Sequence, residues 1–233
     1  MATAVVKPKR KLVAPPRSAD KKQPKTTGSE KPNLAIFRSA LSPDLLKRAH
    51  ALFFGKEHAT PIRYLEPHEN KVWTPAGEYR EVPRKQAAYS HPAGLSYRFS
   101  GATVVARDEN EVPLLREIRE WVEKLSGQAF NFCFINYYQT GDNTIGWHSD
   151  DEKDMINGAT IGSLTFGASR DFQFRLKKDK TVKFELVLDD NMLVLMKHPT
   201  NRDWQHQLPR RKRVFEPRVN LTFRQFKSQT SLF

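Results

Sequence analysis

The chain is 233 residues long, with 38% hydrophobic, 28% charged and 11% aromatic residues, which gives room for one domain and a tail. No uninterrupted apolar run approaches the roughly 18–20 residues of a membrane-crossing helix. Residues 1–12 are basic and lack the apolar segment of a secretory signal. A single cysteine, Cys133, excludes an intramolecular disulfide framework and a four-cysteine zinc site, and suits a reducing compartment. Lys and Arg number 39 against 26 Asp and Glu, a net charge of +13 that favours a polyanionic partner.

The charge is uneven. Residues 1–32 hold nine basic and two acidic residues, five prolines and no aromatic residue. Such a stretch cannot bury enough apolar surface to offset its ordering entropy, so a disordered basic arm is expected over 1–32, ahead of a folded domain over 33–233. Its cluster Lys7-Pro8-Lys9-Arg10-Lys11 suits nuclear import, a grip on phosphates, or simply a solvated tail.

Ser42-Pro43-Asp44 ahead of LLKRAHALFF predicts a capped helix with proline in its first turn. Residues 61–100 alternate short apolar runs with Pro and Gly, the pattern of strands and long loops. PLLREIREWVEKLS (113–126) has helical spacing and is stopped by Gly127. Beyond it, residues 130–138, 160–166, 171–177, 181–188, 192–196 and 218–226 are β-branched or aromatic runs bounded by turn residues. The expected fold is mainly β with flanking helices, a sandwich or barrel of jelly-roll type.

Period-two alternation assigns side chains to faces. In RVNLTFR, Arg218, Asn220, Thr222 and Arg224 share one face and Val219, Leu221 and Phe223 the other. If the first face points inward, two desolvated guanidiniums need an anion, and a small dicarboxylate satisfies both. In FNFCFINYY, Phe132, Phe134, Asn136 and Tyr138 share a face, with Cys133 opposite. In His148-Ser149-Asp150 an imidazole and a carboxylate point the same way along extended chain. Together with His206 they match the facial two-His, one-carboxylate arrangement of non-haem Fe(II) oxygenases. Taken alone, an HxD pair also arises by chance, and a lone histidine is more often a core or surface residue. Asp151 and Glu152 prolong the acidic run beside this site.

These segments, HSDDE (148–152), WQH (204–206) and RVNLTFR (218–224), resemble the AlkB family of Fe(II)/2-oxoglutarate dioxygenases, and within it the DNA oxidative demethylases. The similarity runs from about residue 80 to 226 and includes PRKQ (83–86), SYRFSG (96–101), GQAFNF (127–132), INYYQTGDNTIGWHSDDE (135–152), SLTFGASRDFQFR (163–175) and KHPTNRDWQHQLP (197–209). The resemblance implies a double-stranded β-helix with iron held by His148, Asp150 and His206. It implies a 2-oxoglutarate pocket in which Arg218 pairs with the distal carboxylate and Asn136, Tyr138, Thr222 and Arg224 complete the walls. Tyr97 and Phe99 would abut a flipped base, with Asp151 and Glu152 on its polar edge.

The activity implied is direct repair of N-alkylated bases of the 1-methyladenine and 3-methylcytosine type, consuming 2-oxoglutarate and O2 and releasing formaldehyde, CO2 and succinate. The expected partner is alkylated DNA, duplex or single-stranded, with RNA as the alternative; the protein is expected to be a nuclear monomer. Arg84, Lys85, Arg210 and Arg211 are expected to grip the nucleic-acid backbone. A catalytically silent binding module is disfavoured by the complete triad and both arginines. Two departures stand out. DNA-demethylating relatives carry an aromatic wedge where this chain has Ala76-Gly77-Glu78, leaving Trp73 or Tyr79 as substitutes. The loop LKKDKTVKF (176–184) is also short.

Overall fold

The computed structural model describes residues 25–26, 30–55, 61–66, 68–74, 76–99, 102–150 and 152–227, with only the backbone described for Lys25, Thr26 and Phe99. In chain order the elements are β1 (Lys25–Thr26), β2 (Leu34–Arg38), α1 (Pro43–Phe54), β3 (Lys71–Trp73), β4 (Tyr79–Glu81), β5 (Lys85–Ser90), β6 (Ser96–Phe99), β7 (Ala102–Val105) and β8 (Arg107–Asp108). There follow α2 (Pro113–Ser126), β9 (Phe132–Tyr138), β10 (Ile145–His148), β11 (Ile161–Gly167), β12 (Arg170–Leu176), β13 (Lys183–Leu188), β14 (Met192–Met196), α3 (Thr200–Asp203), β15 (Trp204–Leu208) and β16 (Arg218–Arg224). Among the described residues no helix is long and apolar enough to cross a membrane.

Both long helices form where their signals stand. The Ser42 hydroxyl accepts from the Leu45 amide and Pro43 occupies the first turn of α1, which buries Leu45, Ala49 and Phe53 on one face. α2 buries Leu115, Ile118 and Val122 and ends at Gly127, whose φ of 66° lets its amide close on the Glu123 carbonyl.

The strands build a seven-stranded sheet in the order β2-β14-β11-β16-β9-β5-β8 and a five-stranded sheet in the order β1-β13-β12-β15-β10. One apolar core lies between the helices and the larger sheet, and holds Ala49, Ile118, Val122, Ile135 and Leu221. A second holds Phe134, Phe172, Phe174, Leu186, Val194 and Leu208 from both sheets. The result is the mainly β, jelly-roll architecture expected. All seven residues of β16 are buried because the strand is central and both its faces are covered. Val219, Leu221 and Phe223 belong to the first core, and the polar set 218, 220, 222 and 224 lies on the opposite face.

The structure differs from the sequence reading at several places. Lys25–Thr26, inside the stretch expected to be disordered, pairs with β13 through Lys25↔Glu185 and Thr26↔Phe184. Pro32 is buried and Glu30 meets Lys178 at 3.0 Å. The cluster at 7–11 lies outside the described residues. Besides β1, the strands β2, β7, β8, β10 and β15 had not been anticipated. β10 has only four residues, one of them glycine, and WQHQL has no β-branched residue, so pairing rather than propensity makes them strands.

Candidate active site

The register of the smaller sheet assembles the triad. β10 and β15 pair antiparallel with His148 opposite His206, and the two ring centroids are 4.2 Å apart. Asp150 lies just past β10, its carboxylate oxygens 3.7 Å from His148 Nε2 and 3.9 Å from His206 Nε2. One ligand atom from each of the three lies within 4.8 Å of the others, close enough to share one ion. His148 Nδ1 bonds the Gly146 carbonyl at 2.8 Å, which fixes the tautomer that presents Nε2 as a free ligand. Burial pushes His206 down to about 3 and also lowers His148, so both imidazoles are neutral and able to coordinate. Burial opposes ionisation of Asp150, but the Arg224 guanidinium beside it outweighs this and holds the carboxyl well below its usual range. A neutral, neutral, anionic donor set with open positions is what Fe(II) takes in this arrangement.

Beside it, the larger sheet stacks a row of polar side chains by register: Gln86↔Asn136, Asn136↔Asn220, Asn220↔Thr165, with Tyr138↔Arg218 next along. Arg218 is 2% exposed and Nη2 donates to Thr165 Oγ1 (2.9 Å) and Asn220 Oδ1 (2.7 Å). Its Nε has no hydrogen-bond partner among the described residues. Desolvation pushes this guanidinium down to about 10. Arg224 Nη2 donates to Asp150 Oδ1 at 3.0 Å, while its Nε and Nη1 lack partners among the described residues. Two buried guanidiniums with unsatisfied donors fit the two carboxylates of 2-oxoglutarate. A cavity of about 750 Å³ joins this row to the triad.

Tyr97 is buried against Phe132 and Phe134, and its hydroxyl donates to Glu152 Oε1 at 2.8 Å. Glu152 Oε2 is buried without a hydrogen-bond partner among the described residues, and burial raises the carboxyl. The side chain of Phe99, and Asp151, lie outside the described residues.

Of the four residues expected to grip the nucleic-acid backbone, the structure turns Arg84 inward. Arg84 points into the cavity wall, Nε to Asn136 Oδ1 (2.7 Å) and Nη1 to the Thr144 carbonyl (3.0 Å). Alternation then sends Lys85 the other way, over the Tyr64 and Tyr137 rings. Arg210 is paired with Asp142 at 2.7 Å and Arg211 with Asp171. Sequence reasoning missed Gln86, Ser163 and Thr165 and left Asn220 without a role. Asn220 accepts from Arg218 and Ser163 and donates to Thr222; its place on the Arg218 face was the available signal. Gln86 and Arg84 both donate to Asn136 Oδ1 and so fix that amide.

Comparison with known proteins gives the same reading. The family model of the 2OG-Fe(II) oxygenase superfamily matches residues 48–224. The human DNA oxidative demethylase ALKBH2 is 42% identical over 190 residues, covering 76% of this chain and 72% of that protein. The human alpha-ketoglutarate-dependent dioxygenase alkB homolog 3 is 36% identical over 152 residues, covering 62% of this chain and 52% of that protein. The solved structure of OsALKBH1 superposes with a TM-score of 0.51 at 16% identity, covering 85% of this chain and all 100% of that one, which bears on the fold alone. With the triad, the paired arginines and these relatives in hand, the chain belongs to the 2OG-Fe(II) oxygenase superfamily, among the AlkB-type Fe(II)/2-oxoglutarate-dependent dioxygenases.

Proposed function

We propose that this protein repairs DNA by oxidative demethylation of N-alkylated bases of the 1-methyladenine and 3-methylcytosine type. The observation that carries the proposal is the cavity itself. Its triad and dicarboxylate-binding arginines stand beside an aromatic wall that ends in the unpartnered Glu152 oxygen. The similarity to proteins named DNA oxidative demethylases supports it.

Fe(II) held by His148, Asp150 and His206, with 2-oxoglutarate and O2, would supply the oxidation that turns an N-methyl group into formaldehyde. The chain's own residues do the rest. Arg218 and Arg224 orient the cosubstrate, and the Asn136 amide, its oxygen held by Arg84 and Gln86, keeps its NH2 group for donation. Tyr97 and Phe134 line the cavity, with Phe132 packed against them; they exclude water and offer a ring face to an extruded base, whose unstacking costs a few kcal/mol. Glu152 faces the base's polar edge. Ring-nitrogen methylation makes these bases cationic, so a buried acid beside the reacting methyl favours the damaged base over its neutral parent.

The hairpin of β3 and β4 projects Trp73 and Tyr79, 48% and 61% exposed and edge to face at 4.9 Å. We assign this pair the gap-filling place that Ala76-Gly77-Glu78 lacks the bulk for. The basic cluster at 7–11 supports a nuclear address. The test is a panel of 1-methyladenine and 3-methylcytosine in single-stranded DNA, duplex DNA and RNA, reading formaldehyde and restored base. Iron- and 2-oxoglutarate-dependent repair of DNA is expected, with Trp73→Ala losing more on duplex than on single strands. Turnover confined to RNA would replace the substrate assignment, and no turnover on any member would refute the proposal.

A further inference from the structure

Arg170 opens β12 and is 2% exposed, among the largest side chains withdrawn from water. The neighbouring carboxylate, Asp171, is taken by Arg211, and no carboxylate pairs with Arg170 among the described residues. Its Nη groups donate instead to four main-chain carbonyls: Thr140 (3.3 Å), Gly141 (3.4 Å), Asn143 (3.0 Å) and Pro209 (2.7 Å). Those carbonyls belong to the turn between β9 and β10 and to the exit of β15. One guanidinium therefore ties together the ends of the strands that carry Tyr138, His148 and His206. Its central carbon also lies 5.9 Å from the Tyr138 ring centroid, and that of Arg218 lies 5.2 Å from the same ring. Two buried cations lie near one phenol ring, and neither guanidinium forms a salt bridge with an acid among the described residues.

We propose that Arg170 is a positioning residue for the cosubstrate, which holds Tyr138 in place and adds a second positive charge at the end of the pocket where Arg218 takes the distal carboxylate, and so enforces a dicarboxylic ligand. The inference rests on the reading of the Arg218 pocket as the 2-oxoglutarate site. A staple with no such part lowers the melting temperature of the protein but leaves its choice of ligand alone. The two roles therefore separate in selectivity.

The experiment uses the full chain with Mn(II) in place of iron. Calorimetry measures the dissociation constants of 2-oxoglutarate and of 2-oxovalerate, which has the same five carbons and keto acid end but no distal carboxylate. Arg170→Met weakens 2-oxoglutarate by at least about five-fold and leaves 2-oxovalerate unchanged, so the preference narrows. Arg170→Lys keeps the charge, folds more readily and lies between Met and the parent. A preference ratio in both variants equal to the parent's overturns the inference, whatever happens to their melting temperatures. A parent that binds neither keto acid overturns the cosubstrate reading of the pocket itself, and the inference with it.

Discussion

Replacing Arg218 with methionine separates what this residue does for the ligand from what it costs the fold. Without ligand the guanidinium is a desolvated cation with no acid paired to it among the described residues, and burial pushes it down to about 10 from its ordinary value, on the linkage scale a penalty on the order of 3 kcal/mol. Methionine removes the charge and fills much of the space, giving up hydrogen bonds to Thr165 and Asn220 worth about 1 kcal/mol each. Asn220 Oδ1 keeps its Ser163 donor. The ligand-free variant should therefore melt at or slightly above the parent. With 2-oxoglutarate at 100 times its dissociation constant the parent gains about 2.7 kcal/mol, roughly 5–11 °C for a domain of this size. Loss of a buried carboxylate's partner costs about 2–5 kcal/mol, so at the same concentration the variant gains less than about 1 kcal/mol. Differential scanning fluorimetry with Mn(II), with and without 2-oxoglutarate, reads both quantities. A ligand-induced shift equal to the parent's refutes the carboxylate assignment. A ligand-free midpoint several degrees lower refutes the argument from unpaired charge.

Other substitutions probe different parts of the fold. His148→Ala should abolish formaldehyde release while leaving oligonucleotide affinity, measured by anisotropy, unchanged, and chelation of iron from the parent should do the same until Fe(II) is restored. Arg119 donates to both Glu109 oxygens at 2.8 and 2.7 Å inside the protein, so Arg119→Ala should cost about 3–5 kcal/mol in urea denaturation with turnover per folded molecule unaltered. Gly167 has φ +83°, and a Cβ there would stand 2.5 Å from the Pro217 carbonyl oxygen and 2.9 Å from Phe54 Cζ; Gly167→Ala should lose at least about 1–3 kcal/mol of thermal stability. Burial pushes the Cys133 thiol up, so it stays protonated, and iodoacetamide should label it at pH 8 only as fast as the chain unfolds; rapid labelling in native buffer would contradict the packing.

Much of this site was legible because strands turn sequence parity into geometry. Once 218–224 is read as extended, Arg218, Asn220, Thr222 and Arg224 must share a face, and β16 pairs with β9 so that this face meets Asn136 and Tyr138. The HxD pair was legible for the same reason. What parity cannot supply is the partner strand. Gln86, Ser163 and Thr165 sit on runs with ordinary strand composition, and only the order β11-β16-β9-β5 brings them beside Arg218 and Asn136. The error over Arg84 has the same source. A basic Arg-Lys pair suggests a phosphate grip, whereas a strand start sends the first residue toward Asn136 and the second to the opposite face.

The triad depends on more than the strand pair that carries its histidines. β10 and β15 bring His148 and His206 face to face within the smaller sheet, but Asp150 lies beyond the last residue of β10. Its carboxylate is held from across the molecule, with Oδ1 on Arg224 of the larger sheet at 3.0 Å and Oδ2 turned toward His206 at 3.9 Å. The cation that orients the metal-binding carboxylate therefore sits on the strand whose other end carries Arg218. Docking of the two sheets brings the iron site beside the cosubstrate row, which the larger sheet carries by itself, and orients the Asp150 carboxylate that the smaller sheet alone does not hold. Apolar packing between the sheets, led by Phe134, Phe172 and Phe174, is thus what places these charges. The ion pair itself adds orientation more than stability, because its Coulombic gain is offset by the desolvation of both partners.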